Sequence, residues 1–198
     1  RVSMQDQAPP SAYEYIQEVK REHILYKDKA VHAIEGLPGV PEWCSKSKAE
    51  ALMGCIWFMK PKAFGGHMEG EDSLSPKIVE IGVFGGRSLI PMAYALKALG
   101  SGKVYGIDPW NEEAAMEGLG EAAAHWKGVP YEEVLDSVRH TIRRLHLREY
   151  VELVRSTSQE ADLIEDIDLL HIDGNRSDEA SMSDVTRWVP CVKKGGMI

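Results

Sequence analysis

One short stretch near the middle of the chain constrains the fold more than any other. Lys77 to Ser88 reads KIVEIGVFGGRS, a β-branched run that ends in an acid and passes into a glycine-rich turn. Leu89 to Leu99 then follows with the apolar spacing of a helix. Glycines let the backbone approach a ligand closely, and a helix N-terminus offers unpaired N–H groups and a positive dipole end. The stretch therefore predicts the opening strand, turn and helix of an α/β nucleotide-type pocket.

Composition limits the class of protein around this stretch. The chain has 198 residues and a formal charge of -8, with 43% hydrophobic residues, which suits a single domain and opposes a nucleic-acid surface. No apolar run approaches the roughly 20 residues of a membrane span. Neither a secretory signal nor metal-type cysteine spacing is present, so we expect a cytoplasmic protein with reduced thiols at Cys44, Cys55 and Cys191.

The region before the glycine turn has a helical character. Tyr13–Tyr26 and Lys48–Lys60 both carry apolar residues at helical spacing. Gly65–Pro76 is polar and glycine-rich, as expected of a linker. We therefore predict a helical N-terminal extension over residues 1–75, which serves as a lid or as a dimer contact in a homo-oligomer.

Strand and helix patterns alternate over residues 76–198. The predicted strands are Lys77–Ile81, Lys103–Ile107, Tyr150–Val154, Ile167–Ile172 and the beginning of a fifth at Gly195–Ile198. The predicted helices are Arg87–Leu99, Pro130–Leu147, a short one at Ser158–Ile164, and Ser177–Val189 with Met182, Val185 and Val189 inward. This alternation predicts an α/β fold of the Rossmann-like, doubly wound type, with a mainly parallel sheet and helices on both faces.

The end of the first strand carries an acid and a glycine turn. A dinucleotide fingerprint has glycine two positions after the first, but Phe84 stands there, two residues after Gly82. Glu80 precedes that glycine by two, and this E-x-G-x-x-x-G form resembles the first motif of class I S-adenosylmethionine-dependent methyltransferases. The resemblance implies S-adenosylmethionine in place of a dinucleotide, and a tight turn without a ligand is the alternative. The candidate cofactor residues of this turn are Glu80, Gly82, Phe84, Gly85, Gly86 and Ser88.

The second and third strand ends add candidate residues. Asp108 ends the second strand, where an acid accepts hydrogen bonds from ribose hydroxyls; the alternative role is a turn acid. Trp110 is a candidate for stacking on adenine and equally a core residue. After the third strand, the hydroxyls of Ser156 and Ser158 suit adenine, or alternatively a helix cap.

The fourth strand ends in Asp173, followed by a glycine. Its carboxylate is predicted at the mouth of the pocket, beside the reacting methyl group or a metal. His171 alternates with apolar residues inside the strand, which favours a core histidine with satisfied hydrogen bonds over a catalytic one.

Residues 77–198 resemble the small-molecule O-methyltransferases of class I, which depend on S-adenosylmethionine. The resemblance is to bacterial enzymes of the cephalosporin-hydroxylase and macrocin type and to catechol O-methyltransferases. It implies that Gly82, Phe84 and Ser88 surround the methionine part of the cofactor. It also implies an adenine segment that includes Gln159, and an Asp173 that ligates Mg²⁺ and touches the cofactor. The implied acceptor is a small-molecule hydroxyl of a natural product, a sugar or a phenol.

Two departures from that family matter. Where relatives have a histidine or lysine able to act as a base, this chain has Arg176, which stays protonated and suits an anionic substrate or an oxyanion instead. The family's C-terminal strands and further metal acids fall beyond Ile198, so we expect an incomplete chain. An NAD-dependent oxidoreductase and a non-catalytic cofactor-binding scaffold are the alternative functions.

Overall fold

The structure is a computed structural model that describes residues 44–59 and 75–198. The predicted helix at Tyr13–Tyr26 and all but the last two residues of the predicted linker lie outside the described residues.

Helices and strands alternate along most of the described chain as the sequence predicts, but no helix separates the third and fourth strands. The helices are α1 (Lys46–Phe58), α2 (Leu89–Leu99), α3 (Glu112–Met116), α4 (Tyr131–Arg144) and α5 (Asp178–Trp188), with 3₁₀ segments at Gly120–His125 and Val189–Cys191. The strands are β1 (Lys77–Ile81), β2 (Lys103–Ile107), β3 (Val151–Val154), β4 (Ile167–Ile172) and β5 (Val192–Met197). None of the helices that the structure describes is long and apolar enough to cross a membrane.

The five strands form one sheet in the order β3-β2-β1-β4-β5, and each neighbouring pair is parallel. The first two crossovers build outward from β1 in one direction, and β4 then returns to its other side. Reversal of the strand order beside β1 is the mark of a doubly wound sheet. The predicted Rossmann-like α/β fold is therefore confirmed.

Both faces of the sheet are covered. Ile78 and Leu169 point into a core shared with α1, α2 and α4, whereas Val79 and Leu170 point to the other face, against Trp188 of α5. Successive strand residues point to opposite faces, so strands buried on both sides read as continuous apolar runs. This is why β1, β2 and β4 have the bounds that the sequence predicts.

Local signals account for the helix boundaries. Ser45 caps α1, its side chain accepting from the Lys48 N–H, and Gly100 ends α2 in the left-handed conformation at φ 77°. In α4, Glu132 and Glu133 lie in the first turn and two arginines lie in the last, as the helix dipole favours.

Two expectations about the C-terminal half are wrong. The predicted helix Ser158–Ile164 is a turn followed by irregular chain. Side chains of α5 bind the carbonyls of this segment: Arg187 and Trp188 donate to the Ser158 carbonyl, and Arg187 also to that of Ala161. These hydrogen bonds satisfy backbone acceptors without a helix, so the segment can follow an irregular path.

The inward face of α5 also differs from the prediction. Met182 is 66% exposed and Val185 is 45% exposed, whereas Asp184 and Trp188 are buried. Residues four apart share a helix face, so Asp184 and Trp188 lie together on the buried face of α5. Met182 and Val185 lie outside that face. Val189 lies beyond the helix, in the following 3₁₀ segment. The short α3 and the 3₁₀ segment after it had no predicted counterpart.

Candidate active site

The strands β1 and β4 end side by side in this fold. The Asp173 N–H donates to the Ile81 carbonyl at 2.8 Å, and the Gly82 N–H donates to the Ile107 carbonyl of β2 at 2.9 Å. In open α/β sheets, ligands bind outside the carboxyl ends of the strands at the point where the strand order reverses. The structure brings Glu80, Gly82, Asp108 and Asp173 to this edge.

Gly82 is required where the β1 turn meets the β4 turn. Its φ is +85°, and a Cβ built on it would lie 2.4 Å from the Asp173 carbonyl oxygen and 2.6 Å from the Gly174 Cα. Only glycine fits a backbone approach this close in a left-handed conformation. Gly86, at φ +75°, closes the turn with its N–H donating to the Val83 carbonyl at 2.8 Å, and Gly85 is buried beside it.

Asp108 holds the glycine turn in place. Its carboxylate accepts from the backbone N–H groups of Val83 and Phe84, both at 2.9 Å, and from that of Trp110 at 2.7 Å. Burial raises the pKa of the Asp108 carboxyl, and the three N–H donors oppose that effect. These contacts match the turn-acid alternative. The ribose role stays a prediction.

Trp110 and Phe84 form the apolar side of the turn. Trp110 is 1% exposed, and its Nε1–H donates to the Phe84 carbonyl at 2.9 Å, as in the core alternative. Phe84, at φ 46°, meets the rings of Trp126 and Tyr131 edge to face. Burial, with Glu112 and Asp108 nearby, raises the pKa of Tyr131 to about 12. The adenine-stacking role of Trp110 stays a prediction.

Glu80 lies beneath the turn and is fully buried. Its Oε1 accepts from the Ser88 hydroxyl and is hydrogen-bonded to His171 Nδ1 at 2.9 Å. Its Oε2 is buried and has no hydrogen-bond partner among the residues that the structure describes. Burial raises the pKa of the Glu80 carboxyl, opposed by His171. A buried carboxylate oxygen without a partner is costly, and it leaves hydrogen-bonding capacity that a donor group could fill.

The turn after β3 is fixed from α5. The Ser158 hydroxyl donates to Asp184, and Gln159 Nε2 lies 3.4 Å from the same carboxylate oxygen. Burial raises the pKa of Asp184, with the Ser158 hydroxyl opposing that shift. Ser158 is buried, Ser156 is half-buried and Gln159 is exposed. The predicted adenine residues are therefore held by an acid that the sequence reading did not single out.

Asp173 lies between two cations. Its Oδ2 accepts from Lys48 Nζ of α1 at 2.7 Å, and its Oδ1 accepts from Arg176 Nη2 at 3.4 Å. The Arg176 side chain is 80% exposed, and that of Asp173 is 23% exposed. Burial raises the pKa of the Cys44 thiol, with smaller effects from the charge of Lys48, which lowers it, and from those of Glu80 and Asp173, which raise it.

The described residues do not fit a divalent metal at Asp173. Both of its oxygens already accept hydrogen bonds from cationic side chains. Mg²⁺ prefers an octahedron of oxygen ligands, yet residues 44–59 and 75–198 contain no group of three His, Cys, Asp or Glu side chains placed to hold an ion. No step of the reaction is therefore assigned to a metal here.

Three residues at the site went unnoticed in the sequence. Lys48 had no detectable signal, because it lies 125 positions from its partner. Asp184 was detectable as an acid four residues before a tryptophan on one helix face. Asn175 ties the loop after β4 to the α3 region, donating to the carbonyls of Ala114 and Glu117 at 3.0 and 2.7 Å.

Comparison with known sequences identifies the family. A family model described as "Methyltransferase domain" matches residues 79–198, and the chain belongs to that family. No curated protein matches the chain in sequence.

Solved structures agree on the fold. The SAH-bound methyltransferase PaMTH1 of Podospora anserina has a TM-score of 0.53 at 12% identity, over 96% of this chain and 71% of that one. The cofactor-bound Rv0187 from MTB scores 0.52 at 16% identity, over 98% and 72%. The O-methyltransferase NovP scores 0.54 at 20% identity, over 77% and 63%. The predicted methyltransferase family is confirmed by the family model, and the solved structures confirm the fold.

Proposed function

We propose that this chain transfers a methyl group from S-adenosylmethionine to a hydroxyl of a small molecule. The observation that carries the proposal is the unpartnered, buried Oε2 of Glu80 at the point where the strand order reverses. A cationic or N–H donor of a ligand satisfies such an oxygen, and S-adenosylmethionine carries an ammonium group on its methionine part.

The remaining cofactor contacts follow from the strand ends. We assign the methionine part to the turn around Gly82 and Ser88, the ribose to Asp108 and the adenine to the turn at Ser158 and Gln159. Each of these lies at the carboxyl end of a neighbouring strand. Ser88 and Asp108 already have partners within the protein, so a cofactor shares or replaces those hydrogen bonds.

A hydroxyl acceptor agrees with the resemblance in sequence and with the description of NovP as an O-methyltransferase. The activated methyl needs an oxygen held in line with it, and orientation supplies much of the rate. Asp173 and Arg176 are the catalytic residues we assign to this end of the site. Magnesium stays a prediction, and the ion pairs at Asp173 do not support it.

Three further assignments belong to the same proposal. Residues 1–75 form an extension and residues 76–198 the cofactor-binding domain. The protein works in the cytoplasm, and its extension serves as a lid or as a dimer contact in a homo-oligomer. Size-exclusion chromatography with light scattering measures the last of these directly.

Calorimetric titration with S-adenosylmethionine tests the cofactor assignment, and NAD is the control ligand. We expect binding of S-adenosylmethionine and not of NAD. Glu80→Gln keeps the shape of the buried side chain but removes its charge, so we expect about tenfold weaker binding, equivalent to about 1.4 kcal/mol. Glu132→Gln, which changes an exposed carboxylate paired with Arg155, is the matched control and should bind normally.

The outcomes separate the parts of the proposal. Binding of NAD alone would reject the methyltransferase function for this chain. Normal binding by Glu80→Gln would reject only the role of that residue. Transfer of a radioactive methyl group to a hydroxylated acceptor, lost in Asp173→Ala, would exclude a non-catalytic scaffold.

A further inference from the structure

Lys48 reaches the reaction end of the site from a different part of the chain. It lies in the first turn of α1, where its N–H is held by the Ser45 hydroxyl at 3.2 Å. Met53, Ile56 and Trp57 anchor the helix in the core that it shares with α2. The Lys48 ammonium is thereby held 2.7 Å from Asp173 Oδ2, with the Lys48 side chain still 35% exposed. It is accessible to an acceptor at the mouth of the crevice.

Two cations contact the single carboxylate of Asp173. Lys48 and Arg176 each carry one positive charge, and neither has another ion-pair partner among the described residues. Glu80, the nearby buried carboxyl, adds a negative charge when ionised, but its contacts are to Ser88 and His171 and not to these cations. One of the two cations can therefore contact a further negative charge, and a sulfonium beside it favours that charge more strongly.

From this geometry we propose that Lys48 is a catalytic residue that binds the reacting oxygen of the acceptor as an oxyanion. This inference rests on the proposed methyltransferase function and narrows it. The acceptor is a readily ionised hydroxyl, a phenol or an enol. Its proton leaves to solvent, the oxyanion attacks the methyl carbon, the C–O bond forms and the C–S bond breaks. The products are a methyl ether and S-adenosylhomocysteine.

Magnitudes select the class of acceptor. A phenol ionises near pH 10, as tyrosine does, and a neighbouring opposite charge lowers such a pKa by about 1 to 3 units. That brings the pKa of a bound phenol to about 7 to 9, so a substantial fraction ionises near neutral pH. An aliphatic alcohol, whose pKa lies near that of water and far above that of a phenol, stays un-ionised. The Lys48 ammonium supplies a positive charge at this position. The carboxylates that the structure describes are not grouped so as to bind a metal ion that would supply it.

The experiment uses 4-nitrophenol, whose phenolate is coloured, as a probe of the empty acceptor site. The protein is saturated with S-adenosylhomocysteine, and the probe is titrated at a pH below its own pKa. We expect wild-type protein to increase the phenolate absorbance. Lys48→Met should bind the phenolate about tenfold less tightly, one pKa unit of lost charge stabilisation, and Lys48→Arg should recover most of the binding.

Lys46→Met is the matched control. It removes the same charge from the same helix turn, but at an exposed position. Lys46→Met should bind the phenolate as tightly as wild type does. Lys48→Met should keep the wild-type affinity for S-adenosylmethionine and the wild-type unfolding midpoint. Methyl transfer to 4-methylphenol should persist in EDTA and fall in Lys48→Met.

Two results would overturn the inference while leaving the proposed function standing. One is normal binding of S-adenosylmethionine with no increase in phenolate absorbance. The other is a phenolate affinity in Lys48→Met equal to that of Lys46→Met. If S-adenosylmethionine itself does not bind, the proposed function fails and this inference fails with it.

Discussion

Substituting Gly82 by alanine tests the contact between the turns after β1 and β4. The new Cβ would lie 2.4 Å from the Asp173 carbonyl oxygen and 2.6 Å from its carbonyl carbon, whereas ordinary contact begins at 3.4 Å. Both atoms belong to the backbone, so no side chain can rotate away. The strands must separate instead, and the hydrogen bond from the Asp173 N–H to the Ile81 carbonyl is the first that separation would break.

The expected loss of stability has two parts. Alanine at φ +85° carries the cost of a left-handed conformation, about 1–2 kcal/mol, which is offset by about 0.4–1 kcal/mol of unfolded-chain entropy. The collision adds the cost of overpacking, about 1–3 kcal/mol or more. Gly82→Ala should therefore lower the free energy of unfolding by about 3 kcal/mol.

Gly100→Ala isolates the conformational part. Gly100 has a similar φ of +77°, but a Cβ built there meets nothing within 4 Å. Its loss should be about 1 kcal/mol or less. Urea unfolding followed by tryptophan fluorescence gives both values, provided that the slope with urea is unchanged. If the two variants differ from each other by less than about 1 kcal/mol, the turns do not approach as described.

Four further substitutions test the rest of the fold. Burial raises the pKa of Asp184 above its ordinary 3.8, so the folded state binds more protons than the unfolded state does. The free energy of unfolding should therefore fall as pH rises from 3.8 towards the folded pKa. Asp184→Asn should remove this part of the fall, measured by urea unfolding between acid and neutral pH. Met182→Ser should change the free energy of unfolding by about 0.5 kcal/mol or less, because the Met182 side chain is 66% exposed. Trp188→Ala should lower it by about 3–5 kcal/mol, because Trp188 is fully buried. Equal effects of the two substitutions would contradict the orientation of α5. Glu132→Gln should cost about 1 kcal/mol or less, because its ion pair with Arg155 is exposed, and a larger loss by the same assay would mean that the pair is structural.

The sheet was predictable because its signals are local. β1, β2 and β4 are short apolar runs between turn residues, and their bounds agree with the sequence reading. The glycine turn is recognisable from its residue types, because few residues other than glycine fit a positive φ and a close backbone approach. Alternation of strands with helices then restricts the topology to a few arrangements.

The predicted inward face of α5 was wrong, because helical periodicity predicts the buried face on the assumption that apolar residues point to the core. Asp184 faces inward because the Ser158 hydroxyl and Gln159 lie opposite it and supply hydrogen bonds. A buried acid with partners can occupy a core position, and the apolar residues on the neighbouring faces are then left outside. The partners lie about 25 residues away in the sequence, and no pattern within the helix reports them.

The contact of Lys48 with Asp173 also joins residues that lie far apart in the sequence, and no local pattern predicts it. This contact bears on the division of the chain into an extension and a domain. The sequence separates an N-terminal extension from a cofactor-binding domain near residue 75, and composition supports that boundary. Yet the Lys48–Asp173 contact joins α1 to the end of β4, and α1 shares its core with α2. If a lid were the whole role of α1, its removal would leave the charge at Asp173 unchanged. Because α1 supplies an ammonium to that carboxylate, the described part of the extension contributes a charged group to the reaction end of the proposed site and does more than cover it.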